Sequence, residues 1–83
     1  MHPDSARQLK HVMAQVFARA GGSCEACGAR APLAFSCAID GLPTENQALA
    51  LCEHCRPRIE AELGQMAKIS DLEKRVAEIR KGK

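Results

Sequence analysis

Two Cys-x-x-Cys elements constrain this chain more than any other feature. They are Cys24-Glu25-Ala26-Cys27 and Cys52-Glu53-His54-Cys55, with residues 28–51 between them. Each pair can present two sulfur atoms to one metal ion, and four thiolates are a common ligand set of structural Zn²⁺. Redox Cys-x-x-Cys motifs usually occur singly on a thioredoxin-like βαβ frame, which disfavours a thiol–disulfide oxidoreductase. The sequence predicts one structural Zn²⁺ per chain, bound by Cys24, Cys27, Cys52 and Cys55.

The chain has 83 residues, no Trp or Tyr, and only two Phe. A core of this size supplies only a few kcal/mol of stability on its own. Structural zinc contributes about 10–16 kcal/mol of apparent binding free energy in small finger peptides. The metal is therefore expected to decide whether the middle of the chain folds.

Composition excludes few functions. No apolar run is long enough to span a membrane, and the N-terminus reads as a polar helix start instead of a signal peptide. A cytoplasmic protein with reduced thiols is expected, because disulfides are rare in that compartment. The formal net charge of +2 and pI near 8.4 are too mild to argue for nucleic acid.

Residues 1–22 are predicted to form an amphipathic helix that ends at Gly21-Gly22. Its apolar residues recur at helical spacing, and they are Leu9, Val12, Met13, Val16, Phe17 and Ala20. We expect this stripe to pack on the zinc module as part of its core.

Residues 23–55 are predicted to form the zinc module. Gly28 follows the second cysteine, as in a zinc knuckle. Alternating apolar residues on either side of the turn-rich stretch 40–46 predict a β-hairpin, and Pro57 suggests that a helix begins near Cys55 or Arg56. The predicted fold is a small α+β zinc-binding domain of treble-clef type, with a module over 1–58 and a helical arm over 59–83.

Residues 56–83 are predicted to be helical, either as one long helix or as two helices broken near Ser70. An apolar seam at spacings of three and four runs along them. This C-terminal seam could bind a second copy or a partner helix, or it could fold back on the N-terminal helix. The sequence leaves both open, and the candidate partner-binding residues are Leu63, Met66, Ile69, Leu72, Val76 and Ile79.

Residues 9–60 resemble the zinc-stapled HNH endonuclease fold of bacteria and phages. The likeness rests on the four cysteines, on Cys27-Gly28, and on the Leu-Cys-x-x-Cys element at 51–55. In that family the first hairpin strand carries an acidic residue or His and then a catalytic His, which correspond here to Ser36 and Cys37. The loop asparagine would fall at Asn46 or Gln47, and the places after the last cysteine hold Arg56, Pro57 and Arg58.

These departures predict the loss of catalysis. A nuclease of this kind needs a histidine to activate water and hard ligands to hold its metal. His2, His11 and His54 all lie outside the first hairpin strand, and a buried cysteine is a soft ligand and an inert thiol. No catalytic residue is assigned.

Several single residues could have a structural or a functional role. Cys37 is expected to be a small apolar residue on the inner hairpin face, with a spare zinc ligand as the alternative. His54 is expected to point outward, and Asp40 to begin a turn. Arg56 and Arg58 could bind phosphate at a helix start, or could simply be solvated.

The leading hypothesis is a non-catalytic, zinc-stabilised binding protein, a phage or bacterial regulator or inhibitor that docks on a protein complex or on DNA. One alternative is a metal-dependent HNH-family endonuclease with Asp40, Asn46 or His54 as unusual ligands. Another is a DNA-binding transcription accessory factor that uses Arg56, Arg58 and the basic tail Arg80, Lys81 and Lys83.

Overall fold

The computed structural model describes residues 3–39 and 42–81, and their side chains from residue 6 onward. Asp40, the predicted turn residue, lies outside this part. The described elements are helix α1 (Pro3–Ala20), strand β1 (Leu33–Cys37), a 3₁₀ turn (Glu45–Gln47), strand β2 (Ala48–Cys52), helix α2 (Arg56–Gly64) and helix α3 (Ile69–Lys81). The predicted hairpin and the predicted start of the second helix are confirmed.

The hairpin lies between two helical layers and has a different set of side chains on each face. β1 and β2 are antiparallel, with Phe35 opposite Ala50 and Ser36 opposite Leu49. Since opposed residues share a face and successive residues alternate, Phe35 and Ala50 lie on one face while Ser36 and Leu49 lie on the other. All five residues of β2 are buried, which places this strand at the centre of the molecule.

Helix α1 covers the Ala50 face of the hairpin. Its Val16 and Ala20 are buried against Ala48 and Ala50, and these four small or medium side chains form the closed part of the contact. Larger residues surround them and remain only partly buried, and these are Val12, Phe17, Leu33, Phe35 and Cys37. This face is therefore sealed over β2 and partly open over β1.

Helices α2 and α3 cover the other face together with the cysteines. Leu49 and Leu51 of β2 join Ile59 of α2 and Cys24, Cys52 and Cys55 in one buried cluster. The C-terminal seam belongs to this cluster: Leu63, Leu72 and Val76 are at most 2% exposed, Ile79 is 8% exposed and Met66 is partly buried, whereas Ile69 is 53% exposed.

The C-terminal seam therefore packs within the chain, against the hairpin and the cysteines instead of against the N-terminal helix. The apolar faces of β2 and of the segments that carry the cysteines are large enough to cover it, which the sequence argument underestimated. A partner helix would reach these side chains only after α3 had left the hairpin. The helical segment is broken at residues 65–68, a few residues before the predicted position, and Arg75 of α3 reaches back to Glu62 of α2 at 2.5 Å.

The outer edge of β2 is closed by polar groups from the segment before the hairpin. The Glu25 N–H donates to the Ala50 carbonyl at 3.0 Å, and the Ala50 N–H donates to Glu25 Oε1 at 3.0 Å. Arg19 donates to the Ala48 carbonyl at 2.6 Å, and the Cys52 N–H donates to the Cys24 sulfur. In this way β2 has partners on both sides although the sheet has only two strands.

None of the described helices is long and apolar enough to cross a membrane.

Candidate metal centre

The first cysteine pair lies in a tight turn whose backbone brings both sulfurs to the same side. The Cys24 N–H donates to the Ala29 carbonyl, and the Gly28 N–H donates to the Cys24 carbonyl, each at 2.9 Å. Gly28 has a φ of 78°, a left-handed conformation that a residue without Cβ adopts at no steric cost. The chain therefore turns at Gly28, directly after the second cysteine, as expected.

The second pair joins the end of β2 to the start of α2. Cys52 is the last residue of β2, and Cys55 immediately precedes α2 at its N-cap position. Pro57 is tolerated in the first turn of α2, where its missing N–H leaves no hydrogen bond unmade. The Ile59 N–H donates to the Cys55 carbonyl at 3.0 Å and so begins the helix at this cysteine.

The two pairs meet at one point. The sulfurs of Cys24, Cys27, Cys52 and Cys55 all lie within 4.8 Å of one another, and those of Cys27 and Cys52 are 3.9 Å apart. Tetrahedral zinc with Zn–S bonds of about 2.3 Å would place its sulfurs about 3.8 Å apart. All five cysteines are free thiols in the structure. The four sulfurs therefore fit a structural metal site in spacing and in number.

The electrostatics of the bare thiols also favour a cation at this point. Burial and, to a smaller extent, the neighbouring thiols Cys27, Cys52 and Cys24 together raise the pKa of Cys55 to about 12. Burial also acts to raise the pKa of Cys24, but donation from the N–H groups of Cys52, Cys27 and Ala26 outweighs it and lowers that pKa to about 6. A divalent cation would deprotonate the thiols that coordinate it, and its positive charge would offset the cost of several negative sulfurs in a buried place.

Comparisons with known proteins add nothing to the interpretation of this site, which therefore rests on its geometry. Searches against protein-family models, curated proteins and solved structures found no match.

Cys37 lies outside the four-sulfur cluster. It is the last residue of β1, at the end of the hairpin away from Cys52, because Leu33 is the residue opposite Cys52. Its sulfur is 3.7 Å from the Ile39 carbonyl oxygen, and it packs partly buried against the α1 side. The expectation of a small apolar residue agrees with this position.

The residues considered as unusual nuclease ligands are not brought to the sulfurs. His54 is exposed between two ligands, and Asn46 is exposed in the 3₁₀ turn. Asp40 lies outside the described residues. The four-sulfur cluster is the only group of metal-binding side chains found in the described part of the chain.

The two arginines after the last cysteine are both engaged. Arg56 forms an ion pair with Glu60 at 3.1 Å, and Arg58 Nη2 lies 4.0 Å from the Cys55 sulfur. In the basic tail, Arg80 reaches Glu25 at 3.3 Å and Lys81 is exposed, whereas Lys83 lies outside the described residues.

Glu25 is a site residue that sequence reasoning missed. It lies between two metal-binding cysteines, yet its side chain is only 3% exposed and forms ion pairs with Arg19 at 2.8 Å and Arg80 at 3.3 Å. Glu53 has the same place in the second Cys-x-x-Cys element and is exposed. The two motifs are alike in sequence, so only the fold distinguishes the two carboxylates.

Proposed function

We propose that this chain is a zinc-stabilised, non-catalytic binding protein built on an HNH-like treble-clef core. Zn²⁺ is the metal that four thiolates at these distances, three of them on buried cysteines, would select, because soft sulfur ligands in tetrahedral array suit it. Knuckle, hairpin and helix follow one another around the four sulfurs in the order of that fold. The ion would be held by Cys24, Cys27, Cys52 and Cys55, and it would supply stability instead of chemistry.

The observation that carries the non-catalytic part is the environment of Ser36. In the family that the chain resembles, this place on the first hairpin strand carries an acidic residue or His. Here Ser36 is 2% exposed on the face that α2 and α3 cover, and its hydroxyl has no hydrogen-bond partner among the described residues. An acidic residue or His at this place would have to reach a metal ion beside the scissile phosphate, and the catalytic His at the next place, here Cys37, would have to activate a water molecule. A short buried hydroxyl under an apolar layer and a cysteine thiol packed partly buried against the α1 side do neither.

The test of this part is a cleavage assay on plasmid and linear DNA with Mg²⁺, Mn²⁺ or Ni²⁺. We expect no nicking above buffer. The endonuclease alternative would be supported instead if cleavage survived stringent purification and disappeared in His54→Ala or Asn46→Ala, since both residues are exposed and their substitution leaves the core unchanged.

We place partner binding on the outer edge of β1. Since the Ala50 N–H and C=O point away from β1, the opposed Phe35 must also turn its own N–H and C=O away from β2. Leu33 and Cys37 lie two residues before and two residues after Phe35, so their N–H and C=O groups also point away from β2. Among the described residues, no group hydrogen-bonds to these outward backbone groups of β1. An unpaired strand edge of this kind can accept a further strand.

The side chains beside this edge favour a protein partner. Phe17 and Phe35 are the only aromatic residues of the chain, and both remain partly exposed there. Aromatic side chains are enriched in protein interfaces and supply much of their binding energy. Residues 31–39 contain no charged side chain. The partner that complements this edge is therefore an extended, uncharged apolar segment of another protein.

Purification of the tagged chain from its native host tests the surface when wild type is compared with Phe35→Lys. The variant places a charge on the edge and should lose the partner, whereas Ile69→Lys, at an exposed site in α3, should keep it. In the complex, the amide hydrogens of Leu33, Phe35 and Cys37 should become protected from exchange.

A partner retained by Phe35→Lys with normal zinc content would contradict this surface. So would a chain recovered alone, or a partner that is released by nuclease treatment, which would favour the DNA-binding alternative.

A further inference from the structure

Arg58 is an exposed arginine whose guanidinium lies beside a cysteine of the candidate metal centre. Its Nη2 lies 4.0 Å from the Cys55 sulfur. Arg58 is three residues after Cys55, and residues at this spacing are neighbours on the surface of a helix. Since Cys55 is the N-cap residue of α2, the first turn of the helix itself brings the guanidinium to the sulfur.

No acidic side chain forms an ion pair with this arginine within the described residues. Arg19, Arg56, Arg75 and Arg80 each form an ion pair with a glutamate, and none of these ion pairs involves Arg58. The cavity beside Arg58, of about 250 Å³, contains both Glu62 and Glu78 in its wall.

Arg75 holds both of those carboxylates. It contacts Glu62 at 2.5 Å and Glu78 at 3.4 Å. Both carboxylates are therefore paired from the α3 side, and neither forms an ion pair with Arg58, whose guanidinium contacts sulfur.

The metal centre needs a cation of this kind. Four thiolates and one Zn²⁺ carry about two negative charges in total, and Cys24, Cys52 and Cys55 are at most 4% exposed. Charge buried in an apolar surrounding is costly unless it is paired or hydrogen-bonded. Cys24 receives backbone N–H donors. Arg58 approaches the sulfur of Cys55.

We propose that Arg58 is a positioning residue of the metal centre, an outer-shell cation that compensates the charge on the Cys55 thiolate and so raises zinc affinity and lowers the reactivity of that sulfur. This inference rests on the proposed zinc site and reassigns Arg58, which the sequence had offered as a phosphate or partner contact. Loss of an outer-shell partner typically lowers metal affinity about 10–100-fold.

The test measures zinc affinity by chelator competition in the full chain for wild type, Arg58→Gln, Arg58→Lys and Arg56→Gln. Arg58→Gln should bind zinc about 10-fold more weakly, and Arg58→Lys should recover most of the loss because it keeps the charge. Arg56→Gln is the matched control, since Arg56 is exposed in the same turn but pairs with Glu60. The difference should shrink as salt is raised to about 1 M, where surface charges are screened.

A second readout separates this role from general destabilisation. With zinc bound, alkylation of Cys55 by iodoacetamide, located by mass spectrometry, should be several-fold faster in Arg58→Gln and unchanged in Arg56→Gln. The sulfur-to-metal charge-transfer band of the Co²⁺-loaded chain should also shift only when Arg58 is replaced.

Wild type that fails to bind zinc would overturn both this inference and the proposed metal centre. Wild type that binds zinc tightly, with affinity and Cys55 reactivity unchanged in Arg58→Gln, would overturn only the assignment of Arg58.

Discussion

The two outer edges of the hairpin differ in how their backbone groups are hydrogen-bonded. On β2, the Ala48 carbonyl accepts from Arg19, the N–H and carbonyl of Ala50 pair with Glu25, and the Cys52 N–H donates to the Cys24 sulfur. On β1, the outward groups of the opposed residues have no such partners in the described part of the chain. A two-stranded sheet is marginal by itself. Here the edge that borders the metal centre is built into the fold, and the other edge remains available.

The largest expected effect comes from removing the metal, because the closed edge depends on the turn that the cysteines hold. Cys52→Ser should abolish stoichiometric zinc binding and leave the hairpin unfolded at room temperature, since structural zinc contributes more free energy than a core of this size. Circular dichroism and metal analysis of the purified chain measure both effects.

Cys37→Ser is the matched control, at the far end of the same hairpin and outside the four-sulfur cluster. It should keep one zinc per chain. Zinc loss in Cys37→Ser, or a folded Cys52→Ser protein, would contradict the four-sulfur assignment.

The second-largest loss of stability is expected from a substitution that breaks the hydrogen bonds at the outer edge of β2 and leaves the metal-binding cysteines unchanged. Glu25→Ala removes the carboxylate that accepts from Ala50 and leaves Arg19 without its ion-pair partner, and breaking a buried pair in this way costs about 3–5 kcal/mol. Chemical denaturation of the zinc-loaded protein measures the loss.

Glu53→Ala, at the corresponding position of the other Cys-x-x-Cys element, should change the stability by less than about 0.5 kcal/mol because Glu53 is exposed. Equal losses in the two variants would mean that Glu25 does not close the edge of β2.

Hydrogen exchange compares the two edges directly in the unmodified chain. The Ala50 N–H is bonded to a buried carboxylate, whereas the Phe35 N–H faces outward from β1, so Ala50 should exchange at least about 100-fold more slowly. Residue-resolved exchange by NMR gives both rates. Similar protection at low protein concentration would show that β1 is covered within the monomer, and that its edge is not free.

The smallest effect concerns the buried hydroxyl on the face that α2 and α3 cover. Ser36→Ala removes an unpartnered polar group and should stabilise the chain by about 1 kcal/mol. Thermal unfolding of the zinc-loaded form measures it, with Ser70→Ala as the exposed control. Destabilisation would reveal a hydrogen bond that Ser36 makes in solution.

The sequence predicted the parts of this fold that depend on local chemistry. Cys-x-x-Cys spacing, Gly28 after the first pair and Pro57 after the second located the metal centre and the start of α2, because turn geometry follows from a few residues. Alternating apolar residues located the hairpin. The proposed HNH relationship remains a hypothesis from resemblance.

What the sequence did not reveal depends on contacts between distant segments. The same periodic seam is expected whether a helix binds a partner or its own hairpin, and only the three-dimensional arrangement shows that Leu72 and Val76 are covered by the chain itself. In the same way, Glu25 and Glu53 have matching neighbours in sequence and opposite burial. Pairing across 25 residues, as between Glu25 and Ala50, has no local signature.

The arrangement of the ligands in two short pairs has a consequence for the order of folding. Either pair can capture a metal ion as soon as its own four residues have been synthesised, because closing so short a loop takes only tens of nanoseconds. Joining the pairs requires closure of the 24-residue loop between Cys27 and Cys52, whose entropic cost grows only slowly with length. A metal ion already bound to Cys24 and Cys27 would therefore nucleate folding, and β2 would join it when Cys52 binds the same ion. The supply of metal during synthesis would then set the rate at which the chain folds.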